Sequence, residues 1–160
     1  MTTHYPILFG FRDLVVGSGF VADISTQGRA LLVDEGEEGF WMYGVNPGGI
    51  AGSGETAAEA QADFRQRYKS VLFDFAGVSK GFEEFEKSVQ KFFAEVNEPT
   101  EEEWNAAVQD VRAGKVDADW LAKGKAESKR QVKVTLIDRP QASVNALDDP
   151  PKLAVEKEAA

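Results

Sequence analysis

Four carboxylates lie within one short polar stretch of the sequence. Asp34, Glu35, Glu37 and Glu38 surround Gly36 between two apolar runs. Carboxylate oxygens are the preferred ligands of Mg²⁺, and a metal-bound water can attack a phosphodiester. A metal site needs oxygens that converge from several elements, whereas four acids in a single turn more often form a solvated loop. We therefore predict no metal site here and keep a metal-dependent nuclease, built on this acidic hairpin, as an alternative function.

The other chemically suggestive residues do not form a catalytic pattern. His4 is the single histidine, and it lies near the terminus, where we expect poor positioning. The glycine-rich run over residues 48–54 precedes a helical pattern but lacks the lysine of a phosphate-binding loop. Glu55 and Glu59, at the start of that helix, would also repel a phosphate. We expect no catalytic residues and no cofactor.

Cysteine is absent from the sequence, which removes disulfides, thiolate catalysis and thiolate metal sites. This composition suits a reducing compartment. No basic region followed by an apolar run begins the chain, so we expect no secretory signal. No uninterrupted apolar run is long enough to span a bilayer, so we expect no membrane association. The sequence predicts a soluble, cytoplasmic protein.

Charge is distributed unevenly along the chain. Seven basic and three acidic side chains give residues 112–133 a net charge of +4, whereas the whole chain carries −9. The basic segment also contains Trp120, so contact with RNA or DNA is one interpretation. The other, which we favour, is a solvated helix face that balances the acidic remainder. The acidic remainder repels phosphate and attracts basic surfaces, so a nucleic-acid partner is not expected.

Strands are predicted mainly in the first third of the chain, where β-branched and aromatic residues are frequent. These runs cover residues 7–16, 19–24, 30–33, 40–45 and 50–53. The polar residues 34–39 join two of the runs into an antiparallel hairpin. Residues 131–137 return to the same alternation and predict a late strand.

Helical spacing predicts four helices between the early strands and the late one. Their first residues are Thr56, Gly81, Thr100 and Asp117. Thr56 and Thr100 each precede a glutamate by three positions, which is the spacing of a capping box. Gly77 is suited to end the first helix in a left-handed conformation. The second helix, over residues 81–96, carries a stripe of Phe that predicts a core face or a contact between protomers.

The bend between the hairpin and the first helix forms a structural motif. Gly49 and Gly54 permit a positive φ where the chain turns tightly. Thr56 caps the helix, and Glu59 reaches back to the cap amide and complements the helix dipole. We therefore interpret all four residues as structural.

The stretch that contains these features resembles the HicB-like antitoxin family. Its residues 33–60 are VDEGEEGFWMYGVNPGGIAGSGETAAEA. In the family an acidic turn leads into an aromatic strand, a Pro/Gly bend, and a capped helix that carries Glu-Ala. Gly49, Gly54, Thr56 and Glu59-Ala60 fall on that pattern, and the resemblance covers about residues 30–75.

The resemblance implies a partial ribonuclease H-like core without catalysis. It also implies inhibition of a protein partner, a small basic ribonuclease toxin. On this interpretation the candidate partner-binding residues are Asp34, Glu35, Phe40 and Trp41. An acidic body speeds encounter with a basic partner and disfavours wrong ones.

The sequence thus predicts an α+β fold, with a small antiparallel sheet of about three to five strands packed against a capped helix. Residues 1–138 are expected to form one domain, with a helical insertion at residues 80–128 and a late returning strand. Residues 139–160 read as a flexible tail. The predicted function is a non-catalytic protein-binding module. The alternatives are the nuclease and an oligomeric scaffold, in which the chain pairs with copies of itself.

Overall fold

A long antiparallel hairpin lies at the centre of the fold. The computed structural model describes residues 2–137 and 151–156. Strand β1 (Thr3–Gly17) pairs with β2 (Phe20–Asp34) along their full length. The turn between them contains Gly19 with a φ of 80°, a conformation that favours glycine. The glycine-punctuated strands predicted at residues 7–16 and 19–24 are confirmed, and residues 30–33 continue the second of them.

Two shorter strands extend the hairpin on the side of β2. Strand β3 (Phe40–Asn46) pairs with the second half of β2, and β4 (Ala51–Gly54) pairs with β3. These pairings confirm the predicted hairpin around the acidic turn and the brief strand after it. A register shift between Arg29 and Ala30 divides β2 into two halves.

Three later strands complete the sheet. Strands β5 (Lys123–Lys125), β6 (Gln131–Ile137) and β7 (Lys152–Glu156) follow the helices in sequence. Within the described residues the sheet order is β4-β3-β2-β1-β7-β5, and β6 pairs with the first half of β2. Strands β5 and β7 run parallel to each other. The first half of β2 is therefore bordered by β6 and its second half by β3, while β7 borders β1.

The helices cover both faces of this sheet. Helices α1 (Ala57–Val78) and α2 (Phe82–Ala94) pack on one face, and α3 (Glu98–Arg112) packs on the other. Alternating residues of β2 separate the two cores, because Ala30 and Leu32 join α1 whereas Leu31 and Val33 meet α3. None of the described helices is both long and apolar enough to cross a membrane.

The predicted α+β class is confirmed, with a larger sheet than expected. The described part of the chain contains seven strands in one mixed sheet. The prediction of about three to five antiparallel strands is therefore too small. The extra strands are β5 and β7, which are short and whose pairing partners are distant in sequence.

The predicted tail is partly wrong. Strand β7 lies between β1 and β5, and its Leu153 and Ala154 are fully buried. Ordering this stretch costs conformational entropy, and the hydrogen bonds and burial gained by pairing with β1 and β5 offset that cost. The rest of the predicted tail, residues 139–150 and 157–160, lies outside the described residues.

Four local predictions about the helices are also wrong. No fourth helix follows Asp117, whose carboxylate accepts from the backbone of Asp119 at 3.1 Å and forms a turn. The interpretation of residues 112–133 as a helix face is wrong beyond Arg112, because α3 ends at Arg112 and residues 113–133 form no helix. Gly77 lies inside α1 and does not have a positive φ. Asn97, rather than Thr100, caps α3 by accepting from the amide of Thr100 at 3.2 Å.

Candidate functional site

The acidic turn has a fixed backbone. The Asp34 carboxylate accepts from the amide of Gly36 at 2.9 Å, and the amide of Glu35 donates to the carbonyl of Gly39 at 2.8 Å. Gly36 and Gly39 have φ values of 69° and 87°, which a residue with a side chain rarely adopts. The turn therefore positions its carboxylates relative to the strand that follows.

Strand β3 directs the two predicted aromatic contacts to opposite faces of the sheet. Phe40 packs against the core beneath α1, whereas Trp41 packs on the α3 side. Trp41 also stacks on Tyr43, with ring centroids 5.7 Å apart and an interplanar angle of 9°. The structure thus separates Phe40 from Trp41, because successive side chains of a strand alternate between faces.

Tyr43 connects the turn to the first turns of α3. Burial raises the pKa of the Tyr43 phenol, and the nearby charges of Glu35 and Glu103 raise it further. Both carboxylates are therefore close enough to act on the same hydroxyl. We call the group formed by Glu35, Trp41, Tyr43 and Glu103 the acidic–aromatic surface.

Additional carboxylates on α3 extend this negative region. Glu98 and Glu102 are exposed in the first turns of the helix. Glu101 is instead paired with Arg29, whose guanidinium lies 2.6 Å from the carboxylate and packs over the ring of Trp104. Glu98 and Glu102 face solvent on the same helix as Glu103. A lysine or arginine of a partner could here meet a carboxylate and an aromatic face together.

The described carboxylates do not converge on a common point. No three His, Asp or Glu side chains in the described ranges are arranged to hold one metal ion. In the turn, the Asp34 carboxylate already accepts a hydrogen bond from the Gly36 amide. His4 lies in β1 opposite Val33 and is half-buried, so the expectation that it belongs to a poorly positioned terminus is wrong.

The motif at the bend acts on the backbone, but not as predicted in every detail. Thr56 caps α1 by accepting from the amide of Glu59 at 3.1 Å. The Glu59 carboxylate accepts from the amide of Glu55 at 2.8 Å, one residue before the cap amide that was predicted.

Neither Gly49 nor Gly54 has a positive φ, so that predicted reason for glycine is wrong. Close packing explains the glycines instead. A Cβ on Gly54 would lie 2.4 Å from the Cβ of Glu59, and one on Gly49 would lie 3.0 Å from the ring of Phe92.

Two residues of the acidic–aromatic surface were not among the predicted site residues. Tyr43 follows Trp41 by two positions, so the period of a strand already predicts that the two rings share a face. Glu103 carries no comparable signal, because its place depends on how α3 packs against the sheet. Of the predicted partner-binding residues, Glu35 and Trp41 belong to this surface, whereas Asp34 lies opposite Phe40 in the register of β2 and β3.

Comparison of the chain with protein-family models, with curated proteins and with solved structures finds no match. The function of the surface is therefore inferred from the residues that form it.

Proposed function

We propose that the protein is a non-catalytic binding module whose acidic–aromatic surface holds a basic partner protein. The observation that carries this proposal is the stacked pair of Trp41 and Tyr43, on whose phenol the charges of Glu35 and Glu103 both act. Large aromatic side chains provide much of the binding energy at protein interfaces, and charges around them select the partner. The similarity of residues 30–75 to HicB-like antitoxins supports a small basic ribonuclease toxin as that partner.

The rigidity of the surface favours binding. The turn is held by two backbone contacts of 2.9 and 2.8 Å, and Trp41 and Tyr43 sit on a strand that is paired on both sides. A preorganised surface loses little conformational entropy when a partner docks. The net charge of −9 adds long-range attraction for a cationic protein.

The two alternative functions gain no support from the geometry. The nuclease would need converging carboxylates, and none of the described groups provides them. The scaffold would use the Phe stripe of α2 between protomers. Phe85, Val89 and Phe93 of that stripe are buried within the chain, and Phe92 packs against Tyr68 and Phe75 of α1.

The proposal is tested by co-expressing the chain with the small basic protein encoded beside it and measuring the affinity of the purified complex. We expect Trp41→Ala to weaken binding at least about tenfold, because hot-spot aromatics contribute roughly 2 kcal/mol or more. Glu35→Lys should slow association and reduce its dependence on salt.

Glu84→Lys is the matched control, because it makes the same charge change at an exposed position of α2, on the opposite face of the sheet. We expect it to leave the affinity of the complex almost unchanged. Absence of any complex, or equal weakening by Glu35→Lys and Glu84→Lys, would contradict the proposal.

A further inference from the structure

A positively charged cavity opens beside the sheet, away from the acidic–aromatic surface. Its volume is about 350 Å³, and β1, β2, β5, β7 and the turn after β5 contribute to its wall. Five of its lining residues are cationic: Lys123, Lys125, Lys129, Arg130 and Lys152. Among the described residues, no aspartate or glutamate lines it. A cavity of this size falls within the range that small-molecule ligands occupy.

The fold itself gathers these charges. Strand β7 brings Lys152 beside β5, although the two strands are separated by many residues. Gly124 allows the close approach, because a Cβ there would lie 3.1 Å from the Cβ of Lys152. The chain then turns after β5 and returns Lys129 and Arg130 to the same cavity. Like charges repel, so this arrangement costs stability unless an anion neutralises it.

The cavity charges show no close ion pair within the described structure, although the charge of Glu127 acts on Arg130. None of the five forms an ion pair with a residue in the described ranges. Nearby arginines that do not line the cavity are paired, since Arg29 lies 2.6 Å from Glu101 and Arg112 lies 2.9 Å from Glu127. The close ion pairs of this region therefore involve arginines outside the cavity lining.

Arg130 has an unused hydrogen-bond donor. Its guanidinium packs over the ring of Trp104 at 5.8 Å, and Nη2 donates to the carbonyl of Ala126. The Nε atom is buried and finds no acceptor among the described residues. Burial lowers the pKa of Arg130 to about 10, the charge of Arg29 lowers it further, and the charge of Glu127 opposes both effects. A buried donor on a charged group without an acceptor is unfavourable, so Arg130 is held at the cavity at a cost in stability.

We propose that this cavity binds a small anion with at least two linked phosphoryl groups, such as pyrophosphate or the polyphosphate of a nucleotide. Lysine and arginine are the residues that bind phosphoryl oxygens most strongly. A single phosphate would leave most of the five charges unneutralised, whereas a pyrophosphate group carries more charge in a compact volume. An extended nucleic acid is disfavoured, because it would also approach a chain whose net charge is −9.

The test is isothermal titration of the full chain with inorganic pyrophosphate at moderate salt. Inorganic phosphate, ATP, citrate and a single-stranded RNA oligonucleotide are titrated in parallel. We expect pyrophosphate and ATP to bind, and phosphate and citrate to bind at least about tenfold more weakly, since each lost charge-assisted contact corresponds to roughly tenfold in affinity. ATP tighter than pyrophosphate would identify a nucleotide as the source of the phosphoryl groups, and equal affinities would identify the inorganic anion.

Variants place the anion in the cavity. Lys125→Gln combined with Lys129→Gln should weaken pyrophosphate binding on the order of 100-fold. Arg130→Gln should weaken it at least about tenfold. Because Arg130→Gln removes a contact with Trp104, Arg130→Lys serves as a second variant that keeps the charge. Lys133→Gln is the matched control, since Lys133 belongs to the same basic segment but does not line the cavity.

Three results would overturn the proposal. The first is absence of pyrophosphate binding at millimolar concentration. The second is equal weakening by Lys133→Gln and by the double lysine variant, which would indicate a diffuse surface charge. The third is RNA binding that is tighter than pyrophosphate binding and is weakened by Lys133→Gln.

Discussion

Removal of one buried hydroxyl should reveal how firmly α1 is attached to the central hairpin. The Tyr68 hydroxyl of α1 lies 2.7 Å from the hydroxyl of Thr26 on β2, and both residues are 1% exposed. Tyr68→Phe keeps the ring beside Phe11 and Phe92 but leaves Thr26 without this partner. An unsatisfied buried hydroxyl costs about 1–3 kcal/mol, so the free energy of unfolding should fall by that amount at neutral pH.

The effect of the substitution should depend on pH. Burial raises the pKa of Tyr68 to about 12, whereas a tyrosine in an unfolded chain has a value of about 10. The neutral phenol is therefore favoured by folding. This contribution is complete below pH of about 10 and is lost as the pH rises through about 12. The difference between about 12 and about 10 corresponds to roughly 3 kcal/mol, so the stability advantage of wild type over Tyr68→Phe should shrink in this range.

Urea unfolding followed by circular dichroism measures both effects. Wild type, Tyr68→Phe, Thr26→Val and the double variant are compared at neutral pH and at several values between about 9 and 12. Other groups that titrate there, including the lysines, cancel when variants are compared at one pH. We expect the double variant to be less destabilised than the sum of the single ones. Additive single variants, or a difference between wild type and Tyr68→Phe that does not change with pH, would refute the reasoning.

Three further changes test the elements around the site. Thr56→Ala removes the cap of α1 and should lower the free energy of unfolding by about 1 kcal/mol in urea titrations, whereas Thr56→Ser should retain most of it. Gly52→Ala places a Cβ 2.4 Å from the backbone nitrogen of Phe64, and thermal melting should show a loss of about 1–3 kcal/mol. Leu153→Ala empties a fully buried position in β7 and should cost about 2–5 kcal/mol; no loss in urea unfolding would mean that β7 is not part of the core.

Local patterns predicted the elements whose signals lie within a few residues. The acidic turn between two apolar runs predicted the hairpin of β2 and β3, and the spacing of Thr56 and Glu59 predicted the start of α1. The Phe stripe of α2 and the inner face of α3 also follow their helical periods. In each case the same side chains that create the pattern make the contacts.

Non-local contacts explain most of what the sequence did not predict. Leu153 and Ala154 lie in a polar stretch, and only their pairing with β1 and β5 buries them. Asn97 was overlooked as a cap, although Pro99 in the first turn of α3 marks that start. Within the candidate site, strand alternation in β3 predicts the face on which Trp41 lies. The position of Glu103, and the cationic cavity elsewhere in the fold, depend on packing between segments that are distant in sequence.

The position of β7 sets an order of events during synthesis. In the described sheet β5 pairs with β7 alone, so β5 has no strand partner until Lys152–Glu156 leave the ribosome. Translation proceeds at about 5–20 residues per second, so the wait after β5 emerges is on the order of seconds. The hairpin with its acidic turn is complete well before that. A nascent chain should therefore present the acidic–aromatic surface first and acquire the cationic cavity only after β7 has emerged.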